Sequence, residues 1–145
     1  MKKLFLTGYE KETIEEFLDK LKKENITTVI DIRETPLSRK NGFSKNLLSK
    51  LLEKKGINYF HFQDLGSPKE LRDKLKKDLN YLNFFKNYRE YIHHQPNLIK
   101  KVLKTIYSNG RSVLLCFEKE HELCHRSIVD SELLKCDPNL QVIPM

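Results

Sequence analysis

No stretch of this chain is apolar for long enough to cross a membrane. Its hydrophobic residues, 39% of the total, fall instead in short periodic groups, as in a soluble domain. Cysteine is scarce and odd in number, with three residues at Cys116, Cys124 and Cys136. The apolar start Leu4-Phe5-Leu6 follows directly on Met1-Lys2-Lys3, too short a run for a secretory signal. Cytoplasmic localisation and reduced thiols are therefore expected. The paired C-x-x-C spacing of structural zinc sites is missing, so a metal held by Cys116, Cys124 and His125 is not expected, nor is a cofactor. Helix-turn-helix, RNP and zinc-finger signatures are also missing. With no internal repeat and no dividing linker, residues 1–145 read as one domain, long enough to bury a core without disulfides or metal.

Positive charge is plentiful. Twenty-seven basic residues face 20 acidic ones for a formal charge of +7, a balance that favours anionic substrates or polyanions. Most of the basic residues are lysines on helix faces, where a solvated surface accounts for them. Arginine is rarer, at positions 33, 39, 72, 89, 111 and 126, and its planar guanidinium suits phosphate or carboxylate.

The pattern of elements alternates. Lys3 to Thr7 reads as a strand, and Thr13-Ile14-Glu15-Glu16 as a capping box opening a helix with Ile14, Phe17, Leu18 and Leu21 on one face. Thr27 to Ile32 is a second strand, making a parallel βαβ unit. Ser44 looks like the N-cap of a helix carrying Leu47, Leu48, Leu51 and Leu52, with Gly56 at its C′ position. Ile57 to Phe62 alternates as a strand. Ser67-Pro68-Lys69-Glu70 reads as a cap with proline at the first helical position. The span that follows is helical to about Ile106, broken near 78–80 and at Pro96. Val113 to Phe117 is a continuous apolar run, as in a central strand buried on both faces. A helix from about His125 to Lys135 and a short strand at Gln141-Val142-Ile143 complete an α/β fold. The expectation is a single three-layer Rossmann-like domain with a mostly parallel sheet of about five strands.

Ligands of such sheets bind beyond the carboxyl ends of the strands, where loops and helix N-termini converge. Two strand ends are polar in the same way: Asp31-Ile32-Arg33, and Cys116-Phe117-Glu118. Asp31 and Arg33 suit either an ion pair or an anion grip with Asp31 as base. Cys116 suits either packing or nucleophilic catalysis. Cys124-His125-Arg126-Ser127 places a thiol, an imidazole and a guanidinium at a helix start, where a cysteine pKa is lowered and an anion can be cradled. The irregular stretch Pro36-Leu37-Ser38-Arg39-Lys40-Asn41-Gly42-Phe43 adds a basic loop at the same edge, and Tyr9, Tyr59 and His61 are further candidates for aromatic or proton-transfer groups. Candidate catalytic residues are thus Cys116, Glu118, Cys124, His125 and Asp31. Candidate binding residues are Arg33, Ser38, Arg39, Arg126, Ser127 and Tyr9.

Several short motifs in order along the chain carry a resemblance. They are Thr7-Gly8-Tyr9-Glu10, Val29-Ile30-Asp31-Ile32-Arg33, Pro36-Leu37-Ser38-Arg39, Gly42-Phe43-Ser44-Lys45, Leu65-Gly66-Ser67-Pro68-Lys69, Cys116-Phe117-Glu118 and Cys124-His125-Arg126. Together they resemble the DUF488 family of small bacterial and archaeal domains. The resemblance implies an α/β fold and the same site, and brings no established reaction, substrate or cofactor. The expected function is an enzyme acting on a phosphate- or carboxylate-bearing, nucleotide-like substrate, with a small anionic ligand or nucleotide as partner and no membrane. The alternative is a non-catalytic nucleic-acid-binding module using the basic surface.

Overall fold

Thr13 caps the first helix reciprocally: its Oγ1 accepts from the Glu16 amide at 3.1 Å while the Glu16 carboxylate accepts from the Thr13 amide at 2.9 Å. This box starts α1 (Ile14–Lys23), which follows β1 (Lys3–Gly8) and leads into β2 (Thr28–Asp31). The computed structural model describes residues 2–118 and 125–145. After β2 come α2 (Lys45–Lys54), β3 (Asn58–His61), a 3-10 turn (Gln63–Leu65), α3 (Lys69–Asp78), α4 (Tyr81–His93) and α5 (Pro96–Ser108). The chain closes with β4 (Ser112–Cys116), α6 (Arg126–Cys136) and β5 (Gln141–Pro144).

Among the described residues all pairings are parallel, in the order β3-β2-β4-β1-β5. The sequence implies a βαβ unit from β1 to β2, and the two strands are indeed parallel, yet β4 lies between them and pairs with both. A two-sided apolar run explains why: every residue of Ser112–Cys116 is buried, so this strand belongs at the centre.

Each face of the sheet has its own core, giving three layers. Phe17 and Leu21 of α1 and Leu48 and Leu52 of α2 pack on Phe5, Val29, Val113 and Leu115. On the other face, Tyr88 and Ile92 of α4, Ile99 and Val102 of α5 and Ile128 and Leu133 of α6 pack on Leu4, Leu6, Ile30 and Leu114. Burying each such side chain fully is worth about 1.5–3 kcal/mol. The α3 to α5 span breaks where the sequence suggests, with Leu79 in the left-handed region at φ 52 and Pro96 opening α5. One start signal is displaced. Pro68, not Ser67, is the cap residue of α3, and Ser67 is buried at the sheet edge without serving as a cap.

The connections place the crevice. The chain leaving β2 returns to the α1/α2 face, whereas the chain leaving β4 returns through α6 on the opposite face. Adjacent strands that send their connections to opposite faces leave a gap at their carboxyl ends.

Candidate functional site

At the end of β2 the backbone turns Asp31 and Arg33 to the same side, and their side chains close a bidentate pair. Arg33 Nη2 donates to Asp31 Oδ2 at 2.7 Å and Nε to Oδ1 at 2.9 Å. The Arg33 amide also donates to Asp31 Oδ1 at 3.0 Å. Tyr59 donates its hydroxyl to Asp31 Oδ2 at 2.5 Å, while Arg33 Nη1 donates to the Phe43 carbonyl at 2.7 Å and the Tyr9 hydroxyl at 3.1 Å. Asp31 is wholly buried and Arg33 nearly so. Burial works against the Arg33 charge, but the hydrogen bonds and charge of Asp31 outweigh it and raise the pKa, so the cation is fixed. Burial and then the Asp31 carboxylate likewise raise the Tyr59 pKa. Most of Arg33's donors are thus spent inside the protein, and the pair acts as a strut between β2, the following loop and Tyr9.

The end of β4 is built differently. Cys116 lies on the other face of the sheet, 3% exposed, with its Sγ 3.0 Å from Glu118 Oε2 and 3.6 Å from His125 Nδ1. The far nitrogen of that imidazole, Nε2, is 3.0 Å from the Ile32 carbonyl oxygen. A carbonyl only accepts, so Nε2 carries the proton and Nδ1 of the neutral ring presents its lone pair to the thiol. Tyr88 stacks edge-on against the imidazole, with ring centroids 5.3 Å apart, and is itself fixed by donating its hydroxyl to the Leu65 carbonyl. Glu118 is pushed up to about 7, first by burial and then by the charge and hydrogen bond of Cys116. For His125 burial disfavours the cation, yet Cys116, the Ile32 carbonyl and Glu118 together raise its pKa. A neutral Glu118, and an imidazole that has taken the thiol proton on Nδ1, both favour a thiolate between them. The three groups form a proton-sharing cluster of the kind that activates a sulfur nucleophile.

Gly8 makes this cluster sterically feasible. A Cβ there would lie 1.7 Å from the Glu118 carbonyl oxygen and 2.7 Å from Arg126 Nη1, so only glycine lets the chain after β4 and the start of α6 approach β1.

Both strand ends open on one cavity of about 550 Å³. Cys116, Glu118, His125 and Arg33 line its polar side, and Tyr9, Ser38 and Arg39 line the side formed by the basic loop. That loop is tied to itself: the Ser38 amide donates to Ser44 Oγ at 3.0 Å, and Ser44 Oγ donates back to the Ser38 carbonyl at 3.1 Å. Lys40 Nζ donates to the Tyr9 carbonyl at 3.1 Å. Ser44 therefore anchors the loop and makes no side-chain cap on α2. Asp31 sits beneath Arg33 and does not line the cavity. Arg126 is 1% exposed against Gly8 and is not part of the lining, and Ser127 borders a separate groove between α4 and α6. Cys124 lies outside the described residues. Among the described residues no group of three or more His, Cys, Asp or Glu is arranged to hold a metal ion, and no helix is long and apolar enough to cross a membrane.

Some lining residues escape sequence reasoning. Arg72 of α3 reaches the cavity and pairs with Glu34 at 3.2 Å, and Leu75, Tyr81 and Phe84 form an apolar wall from α3 and α4. Nothing in their spacing sets them apart from an ordinary helix face. Tyr88 had a faint signal, since a tyrosine among Leu and Ile on an apolar face needs a partner for its hydroxyl.

The fold and site define a three-layer α/β protein with a thiol–imidazole–carboxyl cluster at the carboxyl edge of a parallel sheet. The chain belongs to the DUF488 family: the profile described as "Domain of unknown function DUF488" matches residues 13–133. No curated protein and no solved structure matched the chain.

Proposed function

We propose that this protein is a thiol-dependent enzyme carrying out hydrolysis or group transfer on a phosphate- or carboxylate-bearing, nucleotide-like substrate, with Cys116 as nucleophile. The observation that carries this reading is the Cys116–His125 contact at 3.6 Å, held in one tautomer by the Ile32 carbonyl and opening on the cavity. A cysteine used only for packing needs no imidazole with an oriented lone pair.

In the reaction, His125 Nδ1 takes the thiol proton as the sulfur attacks an electrophilic carbon or phosphorus. The bond to the leaving group breaks, and that group takes a proton from His125 or from neutral Glu118. Water, deprotonated by whichever of the two gave up its proton to the leaving group, then displaces the sulfur from the bound group, and the thiolate regains a proton from His125. Arg39, exposed on the rim, and Arg72 supply positive charge for the substrate's anionic part. Asp31 and Arg33 act as positioning residues, holding the loop that carries Ser38 and Arg39.

The test is hydrolysis of para-nitrophenyl phosphate and para-nitrophenyl acetate. Turnover should fall by about 100-fold or more in Cys116→Ser and His125→Ala. Turnover equal to wild type in both variants would remove Cys116 from the chemistry.

A further inference from the structure

The net charge is not spread evenly. The segment Lys69–Ser108, which holds α3, α4 and α5, contains ten Lys and Arg against four Asp and Glu, so it carries +6 of the total +7. Within it α3 stands apart, because none of its residues is buried and only Leu71 packs against the core. Five of its ten residues are basic: Lys69, Arg72, Lys74, Lys76 and Lys77. Lys69, Arg72 and Lys76 recur at i, i+3 and i+7 and therefore share one helix face. Arg72 lines the cavity, so that face borders its mouth. At 1.5 Å per residue the three cations span about 10 Å, enough for successive phosphates of an extended strand. Aromatic and apolar surface sits beside them. Tyr81 and Phe117, both lining the cavity, are 45% and 44% exposed, and Leu79 and Leu82 at the α3/α4 turn are 69% and 86% exposed.

We infer that the α3/α4 hairpin is a docking surface for single-stranded nucleic acid, whose backbone runs along Lys69, Arg72 and Lys76 and whose bases stack on Tyr81 and Phe117. This rests on the reading of Cys116 above and names the substrate class for it. A free mononucleotide would be held within the cavity and would gain nothing from cations a helical turn outside it. A row of cations bordering a cavity whose wall carries exposed aromatic rings is the combination that binds a single strand without demanding a sequence. A duplex keeps its bases stacked and could not present one to rings on the wall of a cavity with a thiol on its lining.

The test is fluorescence anisotropy of a labelled twelve-nucleotide single strand of mixed sequence, using the Cys116→Ser chain so that no turnover intervenes. Affinity should fall as salt rises, by about 0.7 log units per log of salt for each phosphate neutralised. Lys69→Gln with Lys76→Gln should weaken binding at low salt by at least about tenfold and reduce that slope by about 1.4. Tyr81→Ala should weaken binding by about tenfold and leave the slope unchanged. The control removes equal charge elsewhere, through exposed Lys100→Gln with Lys101→Gln on α5, and should leave the slope intact. The inference is overturned if both double variants behave alike, or if a duplex of equal length binds more tightly. Anionic vesicles competing as well as the single strand would overturn it too. His125-dependent alkylation of Cys116, measured on wild-type chain in parallel, separates the two claims. If it persists without strand binding, only the docking surface falls. If strand binding persists without it, only the thiol reading falls.

Discussion

Replacing Glu118 with glutamine should change how stability depends on pH more than it changes stability itself. In the folded chain burial and the neighbouring sulfur push this carboxyl from the ordinary 4.5 up to about 7. Between those pH values the folded protein holds a proton that the unfolded chain has released. Stability derived from keeping Glu118 neutral is therefore complete below pH 4.5 and is lost as pH rises through 7. At about 1.4 kcal/mol per pH unit, the loss amounts to at most about 3 kcal/mol. Glu118→Gln cannot ionise, so it escapes that loss. Its stability relative to wild type should rise by up to about 3 kcal/mol between pH 4.5 and pH 8. The raised pKa of His125 has the same sign, but it is present in both chains and largely cancels in the difference. Urea unfolding of both proteins at pH 5, 6.5 and 8 reads the effect directly. A difference that stays constant over that range would refute the raised pKa, and with it the proton-sharing cluster.

Gly8→Ala should destabilise the fold by about 3 kcal/mol, since its methyl group falls 1.7 Å from the Glu118 carbonyl oxygen and the backbone must move. A denaturant midpoint equal to wild type would show that the approach is not tight. Asp31→Asn should cost about 3–5 kcal/mol by leaving the buried Arg33 guanidinium without its counterion. The double change Asp31→Leu with Arg33→Met leaves no unpaired buried charge and should cost less than that single one; a larger cost would show that the uncompensated guanidinium is not what destabilises Asp31→Asn.

Much of the architecture was legible in the sequence because the periodicities are unambiguous. The capping box at Thr13, the breaks near Leu79 and at Pro96, and the doubly buried strand after Gly110 all state their structure locally. Strand order was not legible. That β4 enters between β1 and β2 follows from which strand can tolerate burial on both faces, a competition among all five. The meeting of the two polar strand ends was legible, since strand ends of a parallel sheet share one edge, and both line one cavity. The division of labour within it was not. Spacing cannot show that Arg33 spends its donors on Asp31, Tyr9 and Phe43, or that Arg126 is tucked against Gly8 while its neighbour His125 reaches Cys116. Those outcomes depend on where α6 settles against β1 and β4, which no local pattern encodes. Arg72 and Tyr81 were equally silent, because a lysine-rich amphipathic helix reads the same whether it faces solvent or a cavity mouth.

The central claim is that His125 activates Cys116. The direct measurement is the rate of Cys116 alkylation by iodoacetamide from pH 5 to 9, read by intact mass in a Cys124→Ser, Cys136→Ser background with and without His125→Ala. With His125 present, alkylation should be fast already at neutral pH and should follow ionisation of the cluster, well below the ordinary thiol value of about 8.5. With alanine at 125 the rate at pH 7 should drop by at least about tenfold and its rise should move toward that ordinary value. Identical pH profiles for the two proteins would contradict the account and leave Cys116 as a packing residue.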